Sequence, residues 1–269
     1  MNKNIACIAA VFLTGILSAE EFNYSKPEHF AHSNPAVKLP LTDKGEGVIS
    51  ASGNMAFYST PAVPVDPAKK YTITGTFRKT AGAEAPVFFG WAYYDKDGRY
   101  FDNAQVNVVK GSDTELVEAL EKGSTELVIK DGSAWSGCFQ GKHIAFNTDP
   151  SYKDLPNFNL FTEGIESVKQ SDGKWLVTLK KPSKAAYPAG TKCRIHQPGG
   201  TVYIAANRKP KERWLTFKSA PVSGIKTTPG LSNTQFPVGT ASVKILLFVN
   251  YGKANDTTTE FKDVKLTVE

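Results

Sequence analysis

The sequence predicts an all-β fold, an antiparallel sandwich, and three features carry that prediction. The segment Tyr71-Thr72-Ile73-Thr74-Gly75-Thr76-Phe77-Arg78 puts Tyr71, Ile73 and Phe77 on one side and threonines with Arg78 on the other. A period of two marks a half-buried strand. The run from Val243 to Tyr251 is apolar on both sides, as the central strand of a sandwich would be. Apolar runs are also separated by turn signals at Asp97-Gly98, Ser171-Asp172-Gly173 and Pro198-Gly199-Gly200, which favour hairpins through the backbone angles they permit.

Taken in order, the 269 residues begin with Lys3, an apolar run from Ile5 to Leu17, and Ala19 before Glu20-Glu21. This is the pattern of a signal peptide cut after residue 19. The run, which contains Cys7, is shorter than the roughly 20 residues of a membrane span. A secreted or periplasmic product with no membrane span is therefore expected. Residues 20–37 are polar, with Pro27 and Pro35, and read as a leader. Strands begin at Lys38 and continue through Val87–Tyr94 and Arg99–Phe101. Ser112 with Glu115 forms a capping box, Leu116 and Leu120 lie four apart, and Gly123 supplies a stop, so one short helix is expected there. Strands resume at Thr125–Lys130, Ile165–Lys169, Lys174–Leu179, Lys192–His196 and Thr201–Ala205. Asn207–Arg213 is a basic junction, and Trp214–Lys218 and Phe261–Val268 close the pattern.

Lysine and arginine number 32 against 26 acidic residues, a formal charge of +6. That excess mildly favours anionic partners and falls well short of a nucleic-acid signature. Beyond the signal only Cys138 and Cys193 remain. In an oxidising compartment they either pair as a disulfide or stay as two buried thiols. His143 and His196 lie near them without the spacing of a metal site.

Tyr71-Thr72-Ile73-Thr74-Gly75, the hairpin around Trp91, Val243–Tyr251 and the closing Lys262-Asp263-Val264-Lys265-Leu266 resemble jelly-roll carbohydrate-binding modules of the galactose-binding-like type, families 4, 9 and 22 among them. The resemblance implies a discontinuous sandwich over 38–104 and 212–269, with 105–211 inserted as a β-rich subdomain holding the short helix. It also implies a structural calcium at Asp263, although Lys262 stands where the family pattern has a first Asp. No other cofactor is implied.

Catalytic patterns are sparse. Glu115, Glu118 and Glu121 follow helical spacing rather than facing each other along a strand, as the carboxylate pair of a glycosidase would. His143 and His196 lack a recognisable partner for acid–base work. Asp95-x-Asp97-Gly98 opens like a calcium loop, but its twelfth position holds Val106. Aromatic side chains are the better binding candidates, because sugar C–H faces stack on rings. The expected function is therefore an exported, non-catalytic protein that binds an extracellular polysaccharide, with an inclination to acidic glycans. Trp91, Tyr93 and Tyr100 would stack, with Arg78 and Asn250 as polar contacts and the Phe89–Trp91–Tyr93 side of the strand open. A structural or adhesive sandwich is the alternative, and a polysaccharide lyase or hydrolase the third reading.

Overall fold

The structure, a computed structural model, describes residues 19–252 and 256–269. The signal peptide expected over 1–19 lies outside the described residues except for Ala19. Eight strands build the sandwich: β1 (Ile49–Ser52), β2 (Met55–Ser59), β3 (Lys70–Ala81), β4 (Val87–Tyr94), β5 (Tyr203–Arg208), β6 (Leu215–Lys218), β7 (Ser242–Val249) and β8 (Thr258–Val268). One sheet runs β6-β3-β8-β1 and the other β5-β4-β7-β2. Successive strands change sheet at every step except β4 to β5, and all pairings among them are antiparallel. That order is a jelly roll.

The alternation read in β3 holds, with Tyr71, Ile73 and Phe77 buried. Gly75 shares their side. A Cβ there would come within 3.0 Å of both Phe77 and Phe89, so glycine makes room for two rings packed 5.3 Å apart. In β4 the expectation is reversed. Phe89, Trp91 and Tyr93 form the buried side, Trp91 being 1% exposed, so the side expected to be open is core. The cause lies outside the strand. Phe236, from the long connection into β7, is buried edge-on against Trp91 at 5.6 Å and against Tyr71 at 5.2 Å. A large ring from a loop thus occupies space that aliphatic side chains of the facing sheet would otherwise fill.

The polar leader is also corrected. Glu20–Tyr24 pairs with β8, Glu20 opposite Val268 and Tyr24 opposite Val264, and Phe30–Ala31 pairs with β2. Tyr24 and Phe30 are buried. The Phe30 ring sits 5.4 Å from both Phe57 and Phe261. Single rings spaced among charged residues hold this segment, so its mean polarity is a poor guide.

The insert replaces the β4–β5 connection, where neighbouring strand ends lie close and a long excursion costs little chain entropy. Its bounds shift inward from 105–211, because Val106 packs in the sandwich core and Tyr203–Arg208 is β5. Inside are two small sheets. One holds Thr114–Glu115, Lys192–His196, His143–Phe146 and Leu160–Phe161; the other holds Glu126–Ile129, Lys174–Leu179 and Ile165–Ser171. They enclose a separate core around Leu116, Trp135, Ile144 and Val177. The helix expected from Ser112 is absent. Thr114–Glu115 pairs with Lys192–Cys193, Leu116 bridges Ile129 and Leu120 bridges Tyr187. Both leucines are buried as a helix face would bury them, but the backbone bonds go to other strands. Helical turns instead form at α1 (Asn103–Val106) and α2 (Ser133–Ser136). Cys138 and Cys193 are free thiols rather than a disulfide. Cys193 is buried within the insert core, which pushes its thiol up to about 12, and the Cys138 thiol donates to the Ala134 carbonyl at 2.9 Å.

A buried polar network seats the insert on the sandwich. Arg194 is fully buried and donates from Nη2 to Asp154 at 2.5 Å, from Nη1 to the Asp149 carbonyl at 3.1 Å and from Nε to His196 Nε2 at 3.0 Å. With Nε2 accepting, His196 carries its proton on Nδ1 and donates to the Ala104 carbonyl at 2.7 Å. Both ring nitrogens are thereby satisfied in the neutral form. A buried guanidinium with its carboxylate in place is tolerable, whereas either alone would be costly.

Two outcomes follow. Trp91→Ala should lower stability by about 3–5 kcal/mol, as other large-to-small core changes do, in chemical denaturation; an unchanged midpoint would show the ring is not core. Burial first, with Arg194 assisting against the Ala104 carbonyl, pushes His196 down to about 4. The unfolded histidine takes a proton near 6.5. Stability from this group is thus fully present above pH 6.5 and is lost as pH falls towards 4, by about 3 kcal/mol. Thermal melts across that window should show the loss, and His196→Gln should flatten it.

Candidate functional site

The site residues expected from sequence land apart. Trp91 and Tyr93 are core. Asn250 is fully buried and structural: its Nδ2 donates to the Ala51 and Gly53 carbonyls at 3.1 and 2.9 Å, and its Oδ1 accepts from Thr259 at 2.7 Å. Its φ of 55° suits Asn, which tolerates the left-handed region. Arg78 lies on the outer face of the other sheet, bound to Glu260. Asp263 is exposed in an irregularity of β8 between Lys262 and Lys265, again with left-handed φ. Among the described residues no group of three or more His, Cys, Asp or Glu side chains gathers in metal-binding reach. Asp95 spends its carboxylate on a turn, accepting from Asp97 N, Arg99 N and Arg99 Nε at 2.8–3.0 Å. Tyr100 alone stands on the aromatic surface described next.

Because the odd-numbered residues of β4 point inward, Phe88, Gly90, Ala92 and Tyr94 point outward. Register carries the pattern across the sheet. Tyr58 on β2, Leu246 on β7, Gly90 on β4 and Tyr203 on β5 form one transverse row, and Ala56, Phe248 and Phe88 form the next. Tyr100, in the short strand paired beside Tyr94, completes the surface. The Tyr100 ring lies 6.0 Å from Tyr58 and 5.9 Å from Tyr94, and Phe88 lies 5.3 Å from Tyr203 and 5.2 Å from Tyr251. Lys244 sits over Tyr94 at 5.2 Å. Ala92 is fully buried although it faces outward. Tyr100 and Tyr251 remain open to solvent at 38% and 47%.

Gly90 sets the floor of this surface. A Cβ on it would lie 2.3 Å from the Val202 carbonyl oxygen, because the segment entering β5 crosses here. The crossing is pinned by Trp91 N donating to Val202 O at 3.1 Å and the Thr201 hydroxyl donating to Trp91 O at 2.6 Å. It delivers Tyr203 to the face.

Asp102 lies beneath one end. It caps α1, accepting from Ala104 N at 2.7 Å, while Gln105 accepts from Asp102 N at 2.9 Å. Burial raises its carboxyl, against the Ala104 N–H and the His143 charge. Burial among neighbouring groups, followed by negative charge from Asp102 and other tyrosines, raises the hydroxyls of Tyr100 and Tyr203. Burial, then Tyr203 and Asp102, raises Tyr58. All stay protonated at neutral pH and act as hydrogen-bond donors and acceptors rather than as bases. His143, opposite His196, is lowered chiefly by burial and its Nδ1 has no hydrogen-bond partner. The face thus offers flat apolar rings with hydroxyl tips.

No protein-family model, curated protein or solved structure matches this chain. The fold defines the class: an all-β jelly-roll sandwich with an inserted β-rich subdomain. Among the described residues no helix is long and apolar enough to cross a membrane.

Gly90→Ala should cost about 1–3 kcal/mol, as overpacking does, since the obstacle is backbone. Tyrosine fluorescence should report displacement of Tyr203; a variant as stable as the parent would show that the segment has room.

Proposed function

We propose that this protein is an exported, non-catalytic carbohydrate-binding protein whose glycan lies along the outer face of the β5-β4-β7-β2 sheet. One observation carries the reading: Tyr58, Tyr94 and Tyr100 stand ring beside ring at about 6 Å on an outward, solvent-edged surface with Tyr203 and Phe88 alongside. A pyranose presents C–H groups on its faces and hydroxyls round its rim. Rings that stack and also carry a hydroxyl meet both demands, and their few rotatable bonds keep the entropy cost of binding low. Protonated hydroxyls suit hydrogen bonding to sugar hydroxyls. The family resemblance supports the same reading, with Tyr100 kept as a stacking residue and Trp91 and Tyr93 replaced by Tyr58, Tyr94 and Tyr203. The jelly roll alone would not, since one fold hosts many functions.

Isothermal titration with soluble β-glucan, xylan and galactan oligosaccharides tests the reading. At least one should bind, and Tyr58→Ala or Tyr100→Ala should weaken it about tenfold, or ~1.4 kcal/mol, with melting temperature little changed. Binding untouched by both changes would sink the proposal. So would release of reducing ends from the same oligosaccharides, which would move the protein to the enzymes and turn attention to His143.

A further inference from the structure

The opposite face of the sandwich carries a feature that tyrosine-face binding does not use. Trp214 stands immediately before β6, half-buried on the outer side of the β6-β3-β8-β1 sheet. The Arg78 guanidinium lies 4.4 Å from its ring centroid and the Lys262 ammonium 4.9 Å. Arg78 donates from Nε and Nη2 to Glu260 Oε2 at 2.8 and 2.6 Å, which leaves Nη1 without a hydrogen-bond partner among the described residues. The basic junction adjoins them. Lys79 N donates to the Lys211 carbonyl at 2.7 Å, tying the junction to β3, and Lys209, Lys211 and Arg213 are all exposed.

The acids nearby are already engaged. Glu84 pairs with Lys211 at 2.5 Å, Glu212 with Lys79 at 3.8 Å and Glu260 with Arg78. Among the described residues Lys209, Arg213 and Lys262 have no carboxylate partner, and Asp263 is the one further acid beside them in sequence. Packing does not call for this surplus, since Arg78 and Glu260 satisfy each other and the ring needs only one cation against it. Like charges gathered on one surface repel, and the repulsion is relieved when an anion binds.

We propose that Arg78, Trp214 and Lys262, flanked by the 209–213 junction, form a second site, for an acidic polysaccharide bearing uronate or sulfate groups. The indole supplies a surface for the sugar's C–H face. Lys262 and the free Nη1 of Arg78 take the anionic group, and the junction extends the positive track to neighbouring residues of the chain. A planar guanidinium suits a carboxylate or sulfate better than a point charge does. This site is separate from the tyrosine face, and the protein carrying both would bridge two glycan segments on its two sides.

The experiment uses the mature chain, with polygalacturonate and dextran sulfate as probes in affinity electrophoresis at two salt concentrations. The parent should be retarded by at least one of them, less so at high salt. Lys262→Glu, a surface change, and Trp214→Ala should each lower the affinity about tenfold while leaving Tyr100-dependent neutral-glycan binding intact. Tyr100→Ala should leave acidic-glycan binding intact. No retardation of the parent would overturn the proposal, as would retardation indifferent to both site changes. Equal competition by double-stranded DNA, with no effect of Trp214→Ala, would also overturn it, because binding would then be to charge alone.

Discussion

The pleat of Val87–Tyr94 decides what this molecule shows to its surroundings. A strand offers two sides, and a shift of one residue exchanges them. Here the side of Phe89, Trp91 and Tyr93 is drawn inward, where Phe236 packs against Trp91 and Tyr93 and Phe77 packs against Phe89. Phe88, Gly90, Ala92 and Tyr94 are consequently outward. Because β4 is paired on both sides, its neighbours must follow, and the register sets Tyr58 and Tyr203 in line with Gly90. The aromatic surface is thus the complement of the core, fixed by the same hydrogen bonds.

The insert contributes to that surface without supplying its rings. It leaves the sandwich just after Tyr100 and Asp102 and returns just before Tyr203, so both ends of its path place residues of the face. Its seating rests on Arg194, Asp154 and neutral His196, which hold α1 through the Ala104 carbonyl. Asp102 caps that turn and its charge bears on Tyr58, Tyr100 and Tyr203. A polar network in the insert therefore steadies the ground on which the tyrosines stand.

Much of the sandwich was legible in the sequence. The alternation of Tyr71–Arg78, the apolar run of β7 and the closing strand from Phe261 are each a local signal of a global element, and the interruption between β4 and β6 was visible as a change of style. Side selection in β4 was not legible, since both sides are aromatic and the arbiter, Phe236, lies far along the chain. The small outward residue Gly90 was the available clue, because a segment crossing the sheet needs room above it. The helix expected after Ser112 failed because Leu116 and Leu120 satisfy helical and bridged-strand burial alike. The true capping box, Asp102 with Gln105, opens only one turn and lacks a following apolar period. The edge strand Glu20–Tyr24 was hidden because only Phe22 and Tyr24 carry its pattern, and Asn250 was misread because a polar residue in an apolar run looks available until its carbonyl partners are known.

The central claim is that the sandwich meets its glycan through the outward tyrosines and not through the aromatic core. Tyrosine ring resonances, recorded on a selectively labelled chain during titration with a bound oligosaccharide, test it most directly. The account predicts shifts confined to Tyr58, Tyr94, Tyr100 and Tyr203, with the buried Tyr71 and Tyr93 unmoved. Shifts at Tyr71 and Tyr93 with the four outward rings silent would contradict it.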